Sequence, residues 1–310
     1  MGVTAEQKKQ VKGQGFLNNR GTDAFSARII TENGVLNAAQ LKNISEVAER
    51  FGNGQVAFTT RMTVEIPGIA YEDIEKVKAY VAKEQLETGG TGAKVRPVVA
   101  CKGTTCVFGL IDTQGLAKEI HDRFYKGYGS VALPHKFKIA VGGCPNNCVK
   151  PDLNDVGIVG QRVPAINKSL CRGCKKCRPE AACPMDAMKV RDGVIHRDKS
   201  VCNNCGRCIT TCPFGVMPDG TVGYKVYIGG RWGKKTRHGD MLKELFTKEE
   251  ALDVVEKAIL LFKDKGKPGE RFGSMVERIG LEKVEKALLS DHLLKHKNEI
   301  LGLTIEGVCR

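Results

Sequence analysis

Aromatic side chains are scarce in this chain of 310 residues, which holds six tyrosines, one tryptophan and 11 phenylalanines. That scarcity argues against a surface built to stack nucleic-acid bases, even at a net charge of +14. The lysines and arginines are spread along the chain, and acidic small molecules explain the same charge; composition does not choose between the two, and the expectation of no nucleic-acid partner rests on where particular basic residues stand. No run of about 18 apolar residues occurs, which excludes a membrane-spanning helix. Residues 1–20 are polar and lysine-bearing, with no apolar stretch to act as an export signal. Glu6 stands where a myristoylation signal carries Ser or Thr. The six histidines read as structural or exposed residues. Thr88-Gly89-Gly90-Thr91-Gly92 lacks both the strand-then-helix context and the Lys-Ser/Thr of a phosphate loop. Low-complexity segments are absent.

What is present is cysteine, thirteen in all. Without an export signal this number points to a reducing compartment, hence the cytoplasm, and away from a disulfide framework. Twelve of them fall into three sets of four. Cys171, Cys174, Cys177 and Cys183-Pro184 form one run; Cys202, Cys205, Cys208 and Cys212-Pro213 form another, with bacterial-ferredoxin spacing. The third set is split into Cys101-x4-Cys106 and Cys144-x3-Cys148. Structural zinc prefers separated C-x2-C pairs, whereas three cysteines in C-x2-C-x2-C wrap one face of a cuboidal cluster. Cys309 is left over as an incidental thiol.

In two-cluster ferredoxins the fourth cysteine of each run ligates the other run's cluster. That places Cys171, Cys174, Cys177 and Cys212 on one cluster, and Cys202, Cys205, Cys208 and Cys183 on the other. The gap before Cys183 is five residues rather than three. Three such clusters in one chain move electrons.

The surrounding pattern is α+β. Residues 24–66 read as strand, helix, strand, with an Asn37–Gln40 capping box, a Leu36–Leu41 staple and an apolar stripe from Leu41 to Phe51. Val56, Phe58, Thr60, Met62 and Val64 alternate with Thr59, Arg61 and Thr63 as one strand, ended by Pro67-Gly68. A second helix carries Tyr71, Ile74, Val77 and Val81 and runs towards Gly89-Gly90. Strands are expected over 94–100 and 136–142, with a helix at about 112–126 between them. From Ala165 to about Gly223 the chain is turn-rich and cysteine-dense; a strand then covers 224–231, and Thr247 with Glu250 caps a tail helix. The boundaries read as 1–92, 93–164, 165–223 and 224–310.

Leu133-Pro134-His135-Lys136-Phe137-Lys138 running into Gly143-Cys144-Pro145-Asn146-Asn147-Cys148 resembles the sirohaem site of sulfite and nitrite reductases. Phe51-Gly52-Asn53-Gly54-Gln55 through Thr59-Thr60-Arg61 resembles the amino-terminal half-domain of that superfamily. With a cysteine-dense module and then Gly229-Gly230-Arg231, the order is most similar to anaerobic and dissimilatory-type sulfite reductase subunits, over roughly residues 20–240.

The resemblance implies a ferredoxin-like half-domain (1–92), a sirohaem and [4Fe–4S] domain (93–164, resumed at 224–310) and an inserted 2[4Fe–4S] ferredoxin module (165–223). It implies sirohaem with three [4Fe–4S] clusters, the split set holding one through Cys101, Cys106, Cys144 and Cys148, and Cys148 bridging to the sirohaem iron. Cys101 to Cys106 spans four residues where the family usually has five. The implied reaction is six-electron reduction of sulfite to sulfide, with nitrite to ammonia as the alternative. A different class of reading is an electron-transfer subunit without tetrapyrrole. Arg28, Arg61, Arg96, Lys136 and Lys138 match the family's substrate and sirohaem-carboxylate contacts, and Arg231, Lys234 and Lys235 are further candidates for the carboxylates. The electron donor would be a ferredoxin or a flavoprotein subunit. One half-domain copy cannot enclose the macrocycle, so a homodimer or a partner subunit of similar fold is expected.

Overall fold

The computed structural model describes residues 2–243 and 245–305; Cys309 lies outside them. Helix α1 (Ala5–Gly13) opens the chain. It leads into an antiparallel sheet of order β1-β2-β4-β3: β1 (Phe16–Asn18), β2 (Phe25–Ile29), β3 (Ala57–Phe58) and β4 (Val64–Ile69). Between β2 and β3 lies α2 (Ala38–Phe51), whose capping box forms: Gln40 N donates to Asn37 Oδ1 at 2.8 Å, and Asn37 N to Gln40 Oε1 at 3.1 Å. Ile44, Val47 and Ala48 bury its inner face against Ile66, Ile69 and Val77, the last on α3 (Ile74–Ala82).

Several expectations are corrected in this unit. Leu41 is exposed, off the buried face of α2; Asn43 is buried instead, its amide donating to Tyr80 O at 3.0 Å. The strand expected over 56–64 is two strands joined by a tight turn. Met62 adopts φ +58 and Thr59 N donates across the turn to Thr63 O at 2.9 Å, so Arg61 stands in a turn rather than on a strand face. Pro67 and Gly68 lie within β4, at an irregularity in its pairing with β2, and do not end it. Helix α3 also stops at Ala82, well before Gly89.

The second sheet has five strands in the order β11-β10-β7-β6-β5. β5 (Val99–Ala100), β6 (Ile139–Gly142) and β7 (Val156–Val163) run parallel, while β7 pairs antiparallel with β10. The expected strand over 94–100 shrinks to β5 and a single bridge between Val95 and Phe137. α4 (Thr113–Ile120) continues into a π-helical turn over His121–Lys126 and packs on β6.

Residues 164–220 leave the sheet between β7 and β10, which are hydrogen-bonded neighbours from Val163↔Thr221 to Val156↔Ile228. The excursion carries helix α5 (Arg178–Ala181) and the hairpin of β8 (Met188–Arg191) and β9 (Val194–Arg197). Its apolar core is small: Met188, Ile195, Ile209, Val216 and Met217, with the cysteines packed around them. The chain returns through β10 (Thr221–Ile228) and β11 (Asp240–Met241). Then follow α6 (Lys248–Lys265), α7 (Phe272–Ile279), α8 (Leu281–Leu289), α9 (His292–Lys295) and α10 (Lys297–Gly302). Phe262 and Phe272 pack on Phe137 at ring-centroid distances of 5.8 and 5.2 Å, fixing the tail helices against the lead-in to β6. No helix of the described residues is long and apolar enough to cross a membrane.

Candidate functional site: thiols and cations on one sheet

Cys101 directly follows β5 and Cys144 stands two residues after β6, so two parallel strands deliver both pairs of the split set to the same sheet edge. Gly143 N donates to Cys101 Sγ at 3.1 Å. Burial, and then the proximity of Cys101, Cys148 and Cys106, pushes the Cys144 thiol up. The four-residue loop turns tightly through Gly103–Thr105, and Gly109 N closes on Cys106 O at 2.8 Å. A Cβ at Gly109 would lie 1.8 Å from Gly103 O, so only glycine fits there. Beside Cys101 a cavity of about 350 Å³ is lined by Phe58, Met62, Ala100 and Lys102.

The two runs interleave. Cys171, Cys174, Cys177 and Cys212 line one cavity of about 210 Å³. Cys202, Cys205 and Cys183 surround Cys208, the one buried thiol among the described cysteines, whose pKa burial pushes up to about 11. Among the described residues no three His, Cys, Asp or Glu side chains close to single-ion spacing. Four thiols around a gap suit a cuboidal cluster rather than one ion.

The cationic candidates meet at the opposite, amino-terminal ends of the parallel strands. Arg28 donates to Glu65 Oε1 from Nε at 2.9 Å and from Nη2 at 2.5 Å, and to Gly90 O at 3.2 Å. Arg96 donates to the same Gly90 O at 2.5 Å. Arg61 makes four hydrogen bonds: two to Pro97 O (3.1 and 2.6 Å), one to Ile139 O (3.0 Å) and one to Asn154 Oδ1 (3.0 Å). With only one of its five N–H groups left, Arg61 clamps the β3–β4 turn onto the second sheet. Burial pushes both Arg61 and Arg96 below the usual arginine range.

Lys136 and Lys138 flank Phe137 just before β6, and their ammonium groups have no partner among the described residues. Burial, followed by the Arg61 and Arg271 charges, pushes Lys138 down to about 8. Lys136 is lowered too, by burial and then Arg271. His135 is held neutral at about 4 by burial and by Arg271, Lys136, Arg96 and Lys138. The Nε–H groups of Arg96 and Arg271 are buried without a partner among the described residues.

Arg271, Asp155 and Asn154 belong to this group and sequence reasoning missed them. Arg271 Nη2 holds Asp155 Oδ1 at 3.0 Å, and Asp155 is fully buried. Nothing in the local sequence marks a pair separated by 116 residues. Arg231, Lys234 and Lys235 stand apart, on a turn closed by an Arg231–Arg237 bridge. Arg231 is engaged by Lys235 O and Ser274 Oγ, both at 2.8 Å, while Lys234 and Lys235 are exposed. The turn's Trp232 ring lies 5.9 Å from Lys150 Nζ, close in sequence to Cys148. A larger cavity of about 650 Å³, lined by Asn33, Gln114 and His121, borders neither the thiols nor these cations.

Residues 91–297 match the nitrite and sulphite reductase 4Fe-4S domain, and residues 18–84 match the nitrite/sulfite reductase ferredoxin-like half domain. The chain belongs to the nitrite and sulphite reductase family. It is 33% identical over 273 residues to the coenzyme F420-dependent sulfite reductase of Methanocaldococcus jannaschii, covering 87% of this chain but only 43% of that protein. It is 31% identical over 262 residues to a subunit of the anaerobic sulfite reductase of Salmonella typhimurium, covering 78% of this chain and 73% of that one. The crystal structure of dissimilatory sulfite reductase I superposes with a TM-score of 0.68 at 21% identity, over 86% of this chain and 69% of that one. The half-domain match falls on the small antiparallel sheet, which delivers Arg28 and Arg61 to the edge of the larger one.

Proposed function

We propose that this chain is a sirohaem- and [4Fe–4S]-dependent reductase that takes sulfite to sulfide in six electrons, acting in the cytoplasm. The observation that carries this is one sheet holding four clustered thiols at its carboxyl edge and a group of cations with unpaired N–H donors at its amino edge. Anionic carboxylates and an oxyanion substrate fit those donors. The F420-dependent and anaerobic relatives are named for sulfite, which favours sulfite; nitrite to ammonia is the alternative.

When bound, sirohaem would supply an iron with an open position and take electrons singly. Cys101, Cys106, Cys144 and Cys148 would hold the adjoining cluster, with Cys148, the exposed thiol of the four, towards the iron. Lys138 Nζ, near 8, can bind the anion as a cation and release a proton at working pH. Lys136 adds a second ammonium. Arg28 and Arg96, tied to one carbonyl, present their remaining donors from a fixed direction. Asp155 keeps Arg271 oriented beside them.

The four residues of β6 lie between Lys138 and Gly143, which puts the two roughly 16 Å apart at strand rise. One chain therefore holds its cations and its thiols at opposite edges. That separation supports closure of the site by a second copy or a subunit of similar fold. Two ferredoxin-type clusters in 165–223 would feed electrons inward from a ferredoxin or flavoprotein.

Anaerobic reconstitution with iron, sulfide and sirohaem tests the proposal. Sirohaem absorption bands together with methyl-viologen-linked sulfide formation are expected; the absence of both overturns it.

A further inference from the structure

The two cysteine runs of the excursion do not face the rest of the molecule equally. Cys205 pairs with Arg162 of β7, and Arg162 N donates to Asn204 O at 2.8 Å. Gly206, at φ +70, lets this loop approach: a Cβ there would lie 3.0 Å from the Arg162 Cβ. Arg207 stands over the Phe108 ring at 5.6 Å, and Phe108 is two residues from Cys106. The set containing Cys202, Cys205, Cys208 and Cys183 is thus packed towards the split set, with Cys208 buried.

The other set, Cys171, Cys174, Cys177 and Cys212, lines its cavity together with Arg172, Lys176, Arg178 and Phe214. Arg172, Lys175, Lys176 and Arg178 are exposed, and none forms an ion pair among the described residues. Arg172 is held over the Phe214 ring at 4.1 Å, which fixes one guanidinium beside Cys212. Across residues 165–180 the single acid is Glu180, and it faces Lys189 at 3.8 Å.

We infer that this rim is the docking surface for an acidic one-electron carrier protein, and that electrons pass from the Cys171/Cys174/Cys177/Cys212 cluster, through the Cys202/Cys205/Cys208/Cys183 cluster, to the split set. This rests on the proposed filling of the two runs with [4Fe–4S] clusters. Each encounter moves one electron: the carrier's reduced centre is oxidised by one, the outer cluster is reduced by one, and no bond is made or broken. Unpaired cations ringing a redox centre attract an acidic partner and orient it with its own centre against the thiols. A protein, rather than nucleic acid, is the occupant because the cations surround thiols and the rim offers one ring, Phe214, already covered by Arg172.

The test uses the reconstituted full chain and a dithionite-reduced acidic [2Fe–2S] ferredoxin as the probe, in stopped flow. The variant carries Arg172→Glu, Lys175→Glu and Lys176→Glu; the control carries Arg191→Glu and Lys199→Glu on the same module. In the rim variant the ratio of ferredoxin-driven to viologen-driven cluster reduction should fall about tenfold or more at low salt, and its steep salt dependence should flatten. The control should keep both. About twelve irons per chain in every protein, with an unchanged ratio in the rim variant, overturns the docking surface alone. Equal loss in rim and control variants also overturns it, as does a rim variant that loses only oligonucleotide binding. About four irons in the unaltered chain instead overturns the filling of the two runs on which the inference stands.

Discussion

Arg271 Nη2 reaches both carboxylate oxygens of Asp155, at 3.0 and 3.1 Å, while Asp155 Oδ2 accepts the backbone N–H of Lys138 at 2.8 Å. One buried anion therefore orients a distant arginine and the strand that carries a candidate substrate lysine. Asp155→Asn leaves Arg271 without its counter-ion in a group that already holds Arg96, Arg61 and two lysines. The expected loss is about 3–5 kcal/mol of unfolding free energy. It is read as a lower urea midpoint at unchanged slope; an unchanged midpoint contradicts this role.

Lys138 gives a pH signature. Its pKa of about 8 means the ammonium is lost as pH rises through that value, so viologen-linked sulfite reduction should fall there. Lys138→Met should lower turnover by about 10²–10⁴ at neutral pH, and Lys138→Arg should move the alkaline limb upward. For folding the sign is opposite. Burial lowers this lysine from 10.5, so its charge costs stability below about 8 and the cost is relieved between 8 and 10.5. Lys138→Met should therefore melt higher than the unaltered chain at pH 7.

Two histidines, His121 buried and His135 half-buried, govern the acid side. His121 and His135 are both held at about 4, chiefly by burial, and stay neutral in the fold. As pH falls from 6.5 towards 4 the unfolded chain takes up protons that the folded chain refuses, so stability drops across that window. His121→Gln should flatten the slope of melting temperature against pH; an unchanged slope contradicts it.

Gly109 tests the short cysteine loop. Gly109→Ala would place a methyl against Gly103 O and force the Cys101–Cys106 turn open. Iron should fall by about four atoms per chain, with the paramagnetic signals of the other two clusters retained. Full iron content would show that the loop tolerates the strain.

Local signals carried much of the fold. The caps at Asn37 and Thr247 and the apolar positions Ile44, Val47 and Ala48 of α2 and Ile74, Val77 and Val81 of α3 are written within one or two helical turns and form as read. The cysteine sets were legible because ligand spacing is itself local. The turn at Arg61 was not, because Thr59 to Thr63 alternates as a strand does and only Met62 at φ +58 breaks it. Leu41 misled because the apolar period continues past the buried face of α2. Arg271 and Asp155 were invisible because their pairing depends on α7 docking against the start of β7. Nor could spacing alone reveal that Lys136 and Lys138, six to eight residues before Cys144, lie at the far end of a strand from it.

Cys148 is where the account is most exposed. Cys148→Ser, prepared and reconstituted without oxygen, should lose the coupled sirohaem–cluster electronic signature and viologen-linked sulfide formation, while the signals of the two ferredoxin-type clusters persist. A Cys148→Ser protein that keeps the pigment, its coupled signature and its turnover would contradict the reading of this sheet edge as the catalytic centre.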